Sequence, residues 1–501
     1  MKIHEFLRYH GVERNPFAEE DADSDLVFKK HCVLGTYHPA WGKIFGDPED
    51  SSTSAVFGEK GSGKTALRIQ ITEAFKRFNR ENLSERVFVI EYDDFNPYLD
   101  RFAEKFGGRK RDEEELLSRW RLWDHMDAIL CLGVTRLVDE ILSARRHAAG
   151  DDAALSVEPR QLKALSSVER RDLLLLAALY DRTTSLPPKT RWQKLRRRVR
   201  FRGWSGQWDR VLGVVGSALS VGASVYWGGA AALLQVWPWA GVALSWLPTV
   251  SRWLHGTRTA WQVVRELRVL PHQVDALRFC LLKLGKKQLE NQPIPRRNQS
   301  VDRYELLKKF QTVLAKLGFR GITVLVDRVD EPHLLGGAPN LMRAFVWPLL
   351  DNKFLSHPGL GVKLLLPAEL TRYLSQEDQG FYERSRLDKQ NLVRSLEWSG
   401  ESLYDVASDR LNACRTKVKE GRLSLRDLFE PEVSETDIIA ALGQIRVPRH
   451  LFKFLHRLLV EHCNRYTDDS PAWRISPDTF RACHSLYLQD MEARDHALTT
   501  G

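Results

Sequence analysis

The chain has 501 residues, 43% of them apolar and 28% charged, which describes a globular protein with room for two or three cores and excludes a disordered or low-complexity chain. Six scattered cysteines, at positions 32, 131, 280, 414, 463 and 483, exclude a disulfide framework and show no metal-ligand spacing, so a reducing, cytosol-facing setting is expected for the soluble parts. The net charge of +10 is local, because Arg191 to Arg210 alone contributes +7 through eight Lys or Arg against Asp209.

Residues 1–45 read as an N-terminal segment. Its opening, MKIHEFLRYHGVERNPF, has no apolar run, so no cleavable signal peptide is expected. Residues 46–105 read as the first part of an α/β core. A short apolar strand, Ala55 to Phe57, leads into the loop Gly58, Glu59, Lys60, Gly61, Ser62, Gly63 and then into an amphipathic helix opening at Lys64, Thr65 and Ala66. This matches G-x-x-x-x-G-K-S/T, the phosphate-binding loop or Walker A element. The glycines let the backbone turn so tightly that successive N–H groups face phosphate oxygens, and the helix adds the positive end of its dipole. Lys64 is expected to neutralise the β- and γ-phosphates and Thr65 to ligate magnesium. Val87 to Tyr92 reads as the next strand, with Glu91, Asp93 and Asp94 at its end, near the nucleotide.

Residues 106–190 are helical by periodicity, dominated by WRLWDHMDAILCLGVTRLVDEIL and RRDLLLLAALYD. His125 between Asp124 and Asp127 has the residue types of a metal site, but the pattern favours a polar patch on a packed helix. Residues 191–257 hold the basic run and then, from Val211 to Ser251, 41 residues without a charge or a histidine. About 20 residues cross a hydrocarbon core, so this length predicts two membrane-spanning helices joined by a turn at Gly228–Gly229 or at Trp237–Pro238–Trp239. Tyr226, Trp227, Trp237 and Trp239 suit the interface near the turn, Trp246 and Trp253 the returning end. Gly213, Gly216, Ala218 and Gly222 supply the small residues of a close helix pair. Basic residues lie on both sides, the Arg191–Arg210 run before and Arg252, Arg258, Arg265 and Arg268 after. The positive-inside rule then places both ends in the cytoplasm. The bland alternative is a buried hairpin of a soluble protein, although soluble helices rarely lack a wet face for so long. Residues 258–318 read as a helical return, broken near Pro271, Pro293 and Pro295.

Residues 319–398 read as the second part of the core. In GITVLVDRVDEP, the apolar run Ile322 to Val326 predicts a buried parallel strand ending in Asp327. An acid at that tip is where a Walker B aspartate holds magnesium. Asp330 and Glu331 follow within one turn and either can polarise the attacking water, with Glu331 slightly favoured as the base. A helix over Asn340 to Asn352 and a strand over Val362 to Leu366 continue a doubly wound order. Residues 399–501 read as a helical lid and tail, including Arg446 to Cys463.

VLVDRVDE resembles the Walker B element of STAND (NACHT-type) P-loop ATPases, and a hairpin between the two Walker motifs resembles KAP NTPases. GVERNPF is similar to AAA-type ATPases of the secretion and origin-recognition kinds. The resemblance implies an α/β P-loop NTPase: a doubly wound parallel sheet with a large helical insertion bearing a transmembrane hairpin, and a C-terminal helical lid. It implies that Gly58, Gly63, Lys64 and Thr65 bind ATP phosphates, that Thr65 and Asp327 hold Mg2+, and that Asp330 or Glu331 activates water. By order in the lid, Arg449 corresponds to the arginine such ATPases bring onto the γ-phosphate, while Arg384 or Arg386 offers an arginine finger to a neighbouring subunit. The role implied is a membrane-anchored, nucleotide-driven switch or oligomeric scaffold at a bacterial inner membrane, its ATPase domain cytoplasmic, in signalling or phage defence with an unnamed protein partner. ATP is the default over GTP, since no guanine-reading motif is evident. Two rivals stay open: a soluble AAA-type nucleic-acid loader, whose basic run would bind phosphate backbone, and a non-hydrolysing nucleotide-bound scaffold.

Overall fold

A computed structural model describes residues 1–106, 112–143, 157–182, 186–201, 208–297, 299–385, 387, 391–415 and 421–499. Five strands, β1 (Ser54–Gly58), β2 (Arg86–Tyr92), β3 (Phe319–Val326), β4 (Leu360–Pro367) and β5 (Leu392–Val393), form one sheet in the order β2-β3-β4-β1-β5. Every pairing is parallel. The expected α/β class with a parallel sheet is therefore present. The central strands β1, β3 and β4 are mostly apolar because both faces are covered, the buried Lys363 in β4 being an exception.

Successive side chains go to opposite faces. Val56, Val87, Val89, Leu325 and Leu365 pack with Leu67, Ile71 and Phe75 of the helix Lys64–Glu81. Ala55, Phe57, Phe88, Ile90, Val324 and Leu364 face the large helical insertion between β2 and β3. The insertion helices Leu122–Ser143, Ser167–Tyr180, Val274–Leu284 and Ser300–Lys316 share this core.

Asp124, His125 and Asp127 are all buried in that core and diverge to separate partners. Asp124 pairs with Arg268, Asp127 accepts from Arg303 at 3.2 Å and from Tyr180 at 2.9 Å, and His125 sits between the Tyr92 hydroxyl and the Phe345 carbonyl. Burial pushes the His125 pKa down to about 3. The metal option is corrected: no group of three potential ligands occurs among the described residues, and these three side chains satisfy the polar needs of packed helices.

The uncharged segment is a helical hairpin, Trp208–Gly228 and Val236–Glu266. The turn is at Gly229, with φ +62, followed by a short 3-10 helix Ala230–Leu234. The Trp237–Pro238–Trp239 alternative is corrected, since it opens the second helix, where a proline lacks no hydrogen bond. A Cβ on Gly213 would lie 3.1 Å from the Trp246 ring, one on Gly216 2.6 Å from Ser245, and one on Gly241 2.2 Å from Ser220. These three contacts describe an antiparallel pair at close approach. Gly222 faces open space and contributes nothing to it.

A second core joins the two ends of the chain. Phe6, Leu7, Val12 and Phe17 pack with Leu403, Leu451, Phe454, Leu458 and Phe480 of the C-terminal helices Gly400–Ala413, Pro448–Arg465 and Pro477–Thr499. Residues 1–17 are thus part of the C-terminal helical body, not a segment standing apart. Val12 bridges Arg415, and Arg410 donates to the Pro16 carbonyl at 2.7 Å.

Candidate functional site

Because the strands are parallel, the carboxyl ends of β1 and β3 open on one edge of the sheet. The loop after β1 turns through Gly61 and Gly63, with φ of +94 and +96. L side chains rarely adopt that conformation. Lys64 folds back over the loop, its Nζ donating to the Gly58 carbonyl at 2.6 Å and to Glu59 at 3.0 Å. The Ser62 hydroxyl is buried without a partner, while the Ser62 carbonyl accepts from Trp398 Nε1 at 2.9 Å. Glu59 and Lys60 are exposed and Ala66 is half-buried in the first turn of the helix.

The Thr65 hydroxyl lies on the same side of that turn and donates to Asp327 Oδ2 at 3.2 Å across 262 residues. Asp327 is 1% exposed at the tip of β3. Burial pushes its pKa up to about 6, opposed by the Arg68 guanidinium, the Arg328 N–H, Thr65 and Lys64. Lys64 is pushed down from the usual ammonium value by burial, opposed by the carboxylates of Asp330, Asp327 and Glu369. Among the described side chains, ammonium, hydroxyl and carboxylate thus meet around one small volume. Tight backbone turns, a lysine and two oxygen atoms are groups that could hold a polyphosphate together with a hard divalent cation.

Asp330 and Glu331 differ in position. Asp330 is half-buried, lines the cleft and is the leading carboxylate acting on Lys64. Glu331 also lines the cleft but its side chain is 60% exposed and 3.5 Å from Arg328 Nε. Arg449 of the C-terminal body lies on the loop, its N–H donating to the Gly61 carbonyl at 3.3 Å. Arg384 stands 67% exposed beside Asp378 and does not line the cleft. Arg386 lies outside the described residues.

Several residues beside the cleft escaped the sequence reading. Arg68 stands one helical turn beyond Thr65, 7% exposed, and gathers four carboxylates: Asp23 at 3.2 Å, Glu91 at 2.9 Å, Asp93 at 2.8 Å and Asp327 at 3.3 Å. The spacing of Thr65 and Arg68 was the one available signal, since residues three apart share a helix face. Asp23 also pairs with Arg328, and Glu20 reaches Lys453 at 3.3 Å. The N-terminal segment therefore runs across the cleft mouth between the sheet and the C-terminal helices. No sequence signal marked this, because residues 18–25 carry no periodicity.

Comparison with protein-family models, curated proteins and solved structures gave no match. Fold and site define a class by themselves: an α/β protein with a five-stranded parallel sheet and a polar cleft at its carboxyl edge, closed by helices from both ends of the chain.

Proposed function

We propose that this chain is a membrane-anchored P-loop ATPase that binds ATP with Mg2+ at the cleft and uses turnover as a switch. The observation that carries the reading is the 3.2 Å contact between Thr65 and Asp327. Two motifs found independently, far apart in sequence, bring two oxygen atoms together, and such a pair is what a Mg2+ ion would take as ligands. The positive-φ glycines and the unpartnered Ser62 hydroxyl support a cradle for phosphate oxygens. In this reading Lys64 and the loop N–H groups hold the phosphates, and Thr65 and Asp327 would hold a Mg2+ ion, which would supply positive charge against the phosphate oxygens. Asp330 orients and deprotonates the attacking water, and Arg449 reaches the γ-phosphate. The deciding experiment is binding of labelled ATP with Mg2+ to wild type and to Lys64→Ala. Equal affinities would overturn the nucleotide site.

Membrane anchoring is supported by the surface of the hairpin. Leu219, Leu244, Tyr226 and Trp237 are 67%, 68%, 85% and 81% exposed, a continuous apolar surface far beyond what a soluble monomer tolerates. One window, Arg210–Trp227, is long and apolar enough to span a bilayer, and only 6% of it is buried. The antiparallel pairing returns the chain to the same body, as a cytoplasmic ATPase with a short external turn requires. Carbonate-resistant pelleting of the full chain is the expected outcome. Full recovery in the soluble fraction without detergent would favour the nucleic-acid rival.

A further inference from the structure

Away from the nucleotide cleft, Gln193, Arg196, Arg197, Arg200, Phe201, Phe279 and Lys283 line an open cavity. We propose that it is a binding site for the phosphate headgroup of an anionic glycerophospholipid, an inference that rests on the membrane reading of the hairpin.

Four cations converge there, and among the described residues none has a carboxylate within ion-pair distance. Two nearby arginines that do not line the cavity are paired. Arg191, on the same helix Pro188–Arg198, is held by Asp139 and Asp181, and Arg278, on the same helix as Lys283, by Asp275. Unmatched like charges repel, so the cavity is electrostatically complementary to an anion and to little else.

Arg200 sharpens the point. It closes the helix Pro188–Arg198 with φ +53, donating to the Arg197 carbonyl at 3.2 Å while Phe201 donates to Arg196 at 3.1 Å. Glycine is the favoured residue for that left-handed cap, because a Cβ is strained there. An arginine in this place gives up stability and adds a guanidinium to the cavity.

The location selects the anion. Leu282, next to Lys283, gives its carbonyl to Arg252 at 2.7 Å and packs where Gly256 leaves room on the second hairpin helix. Arg278, next to Phe279, lies 4.9 Å over the Trp253 ring. Arg252 is the first charge after the uncharged run, so the cavity sits at the depth where a bilayer's phosphates begin. A headgroup phosphate among the four cations leaves its acyl chains free to follow the apolar hairpin, and basic pockets beside membrane helices favour anionic lipid for this reason. Phe201 and Phe279 furnish an apolar wall at the glycerol level.

The test uses the full chain in nanodiscs of phosphatidylcholine with or without phosphatidylglycerol, reading retained lipid by native mass spectrometry and thermal midpoint in parallel. Wild type is expected to retain phosphatidylglycerol selectively. Arg196→Gln, Arg197→Gln and Lys283→Gln should each weaken retention roughly fivefold while leaving insertion and ATP binding intact. Arg200→Gly should weaken retention equally but raise the thermal midpoint in phosphatidylcholine, a split that a merely structural arginine would not produce. Equal retention of the two lipids by an inserted protein, or variants indistinguishable from wild type, would overturn the site. Inorganic phosphate or a DNA oligonucleotide competing as well as the lipid would overturn its lipid character. A protein that never enters the nanodisc would instead overturn the membrane reading itself.

Discussion

Arg449 is seated on Gly61. Its N–H donates to the Gly61 carbonyl at 3.3 Å, and a Cβ on Gly61 would come within 2.7 Å of the Arg449 Cβ. The loop and the C-terminal helices therefore close on each other through backbone, with no room for a side chain between them. Gly61→Ala should both strain a φ of +94 and push the helical body away. A loss of about 1–3 kcal/mol in denaturant unfolding is expected from the backbone alone, together with weaker ATP binding. Unchanged stability and affinity would show that the closure does not matter to the site.

Asp330 and Glu331 are separated by their surroundings, not by their chemistry. Asp330 is half-buried in the cleft and its carboxylate acts most strongly on Lys64, whereas Glu331 is 60% exposed beside Arg328. Asp330→Asn should keep ATP binding and slow hydrolysis about 100-fold, as expected for a lost general base. Glu331→Gln should slow it far less. Single-turnover kinetics decide, and the reverse ranking would restore Glu331 as the base.

Lys363 is buried in the middle of β4, hydrogen-bonded to the Phe45 carbonyl at 2.9 Å and to Ser52 at 2.8 Å, and among the described residues no carboxylate counters its burial. Burial pushes its pKa down to about 7 from an ordinary 10.5. Between those values the unfolded chain binds the proton and the folded one does not, so stability rises with pH. Below about 7 the full cost of burying the charge is present; above 10.5 it is gone. Relative to Lys363→Met, wild-type stability should climb across that window with a slope approaching about 1.4 kcal/mol per pH unit. Parallel stability curves for the two proteins would rule this out.

Val221 and Leu244 test the hairpin. An arginine at the centre of a spanning helix costs about 2.5–3.5 kcal/mol, so Val221→Arg with Leu244→Arg should move the protein out of the membrane fraction. Leu244 is 68% exposed and Val221 lies on a half-buried face, so neither change should unfold the proposed ATP site. Fractionation and ATP binding on the same preparation check both halves. A double variant still resistant to carbonate extraction would refute the spanning topology.

Much of the architecture was legible because it is written in short-range patterns. The mostly apolar runs of β1, β3 and β4 announce a doubly covered sheet, the glycine spacing from Gly58 to Gly63 announces a tight loop, and the uncharged stretch announces a hairpin while leaving its turn open between Gly228–Gly229 and Trp237–Pro238–Trp239. Each of these follows from a steric or solvation requirement met within a few residues. The two-residue β5, packed beside β1, was not legible, because two residues carry no period.

What the tertiary structure alone decided lies between residues hundreds of positions apart. That Arg68 gathers Asp23, Glu91, Asp93 and Asp327, that residues 1–17 pack into the C-terminal helical core, and that Asp330 is half-buried while Glu331 is exposed all depend on how packed surfaces align. A charge pattern states which groups need partners. Only the packing of the sheet against its helices, which fixes distances to within an ångström, selects which partners they receive.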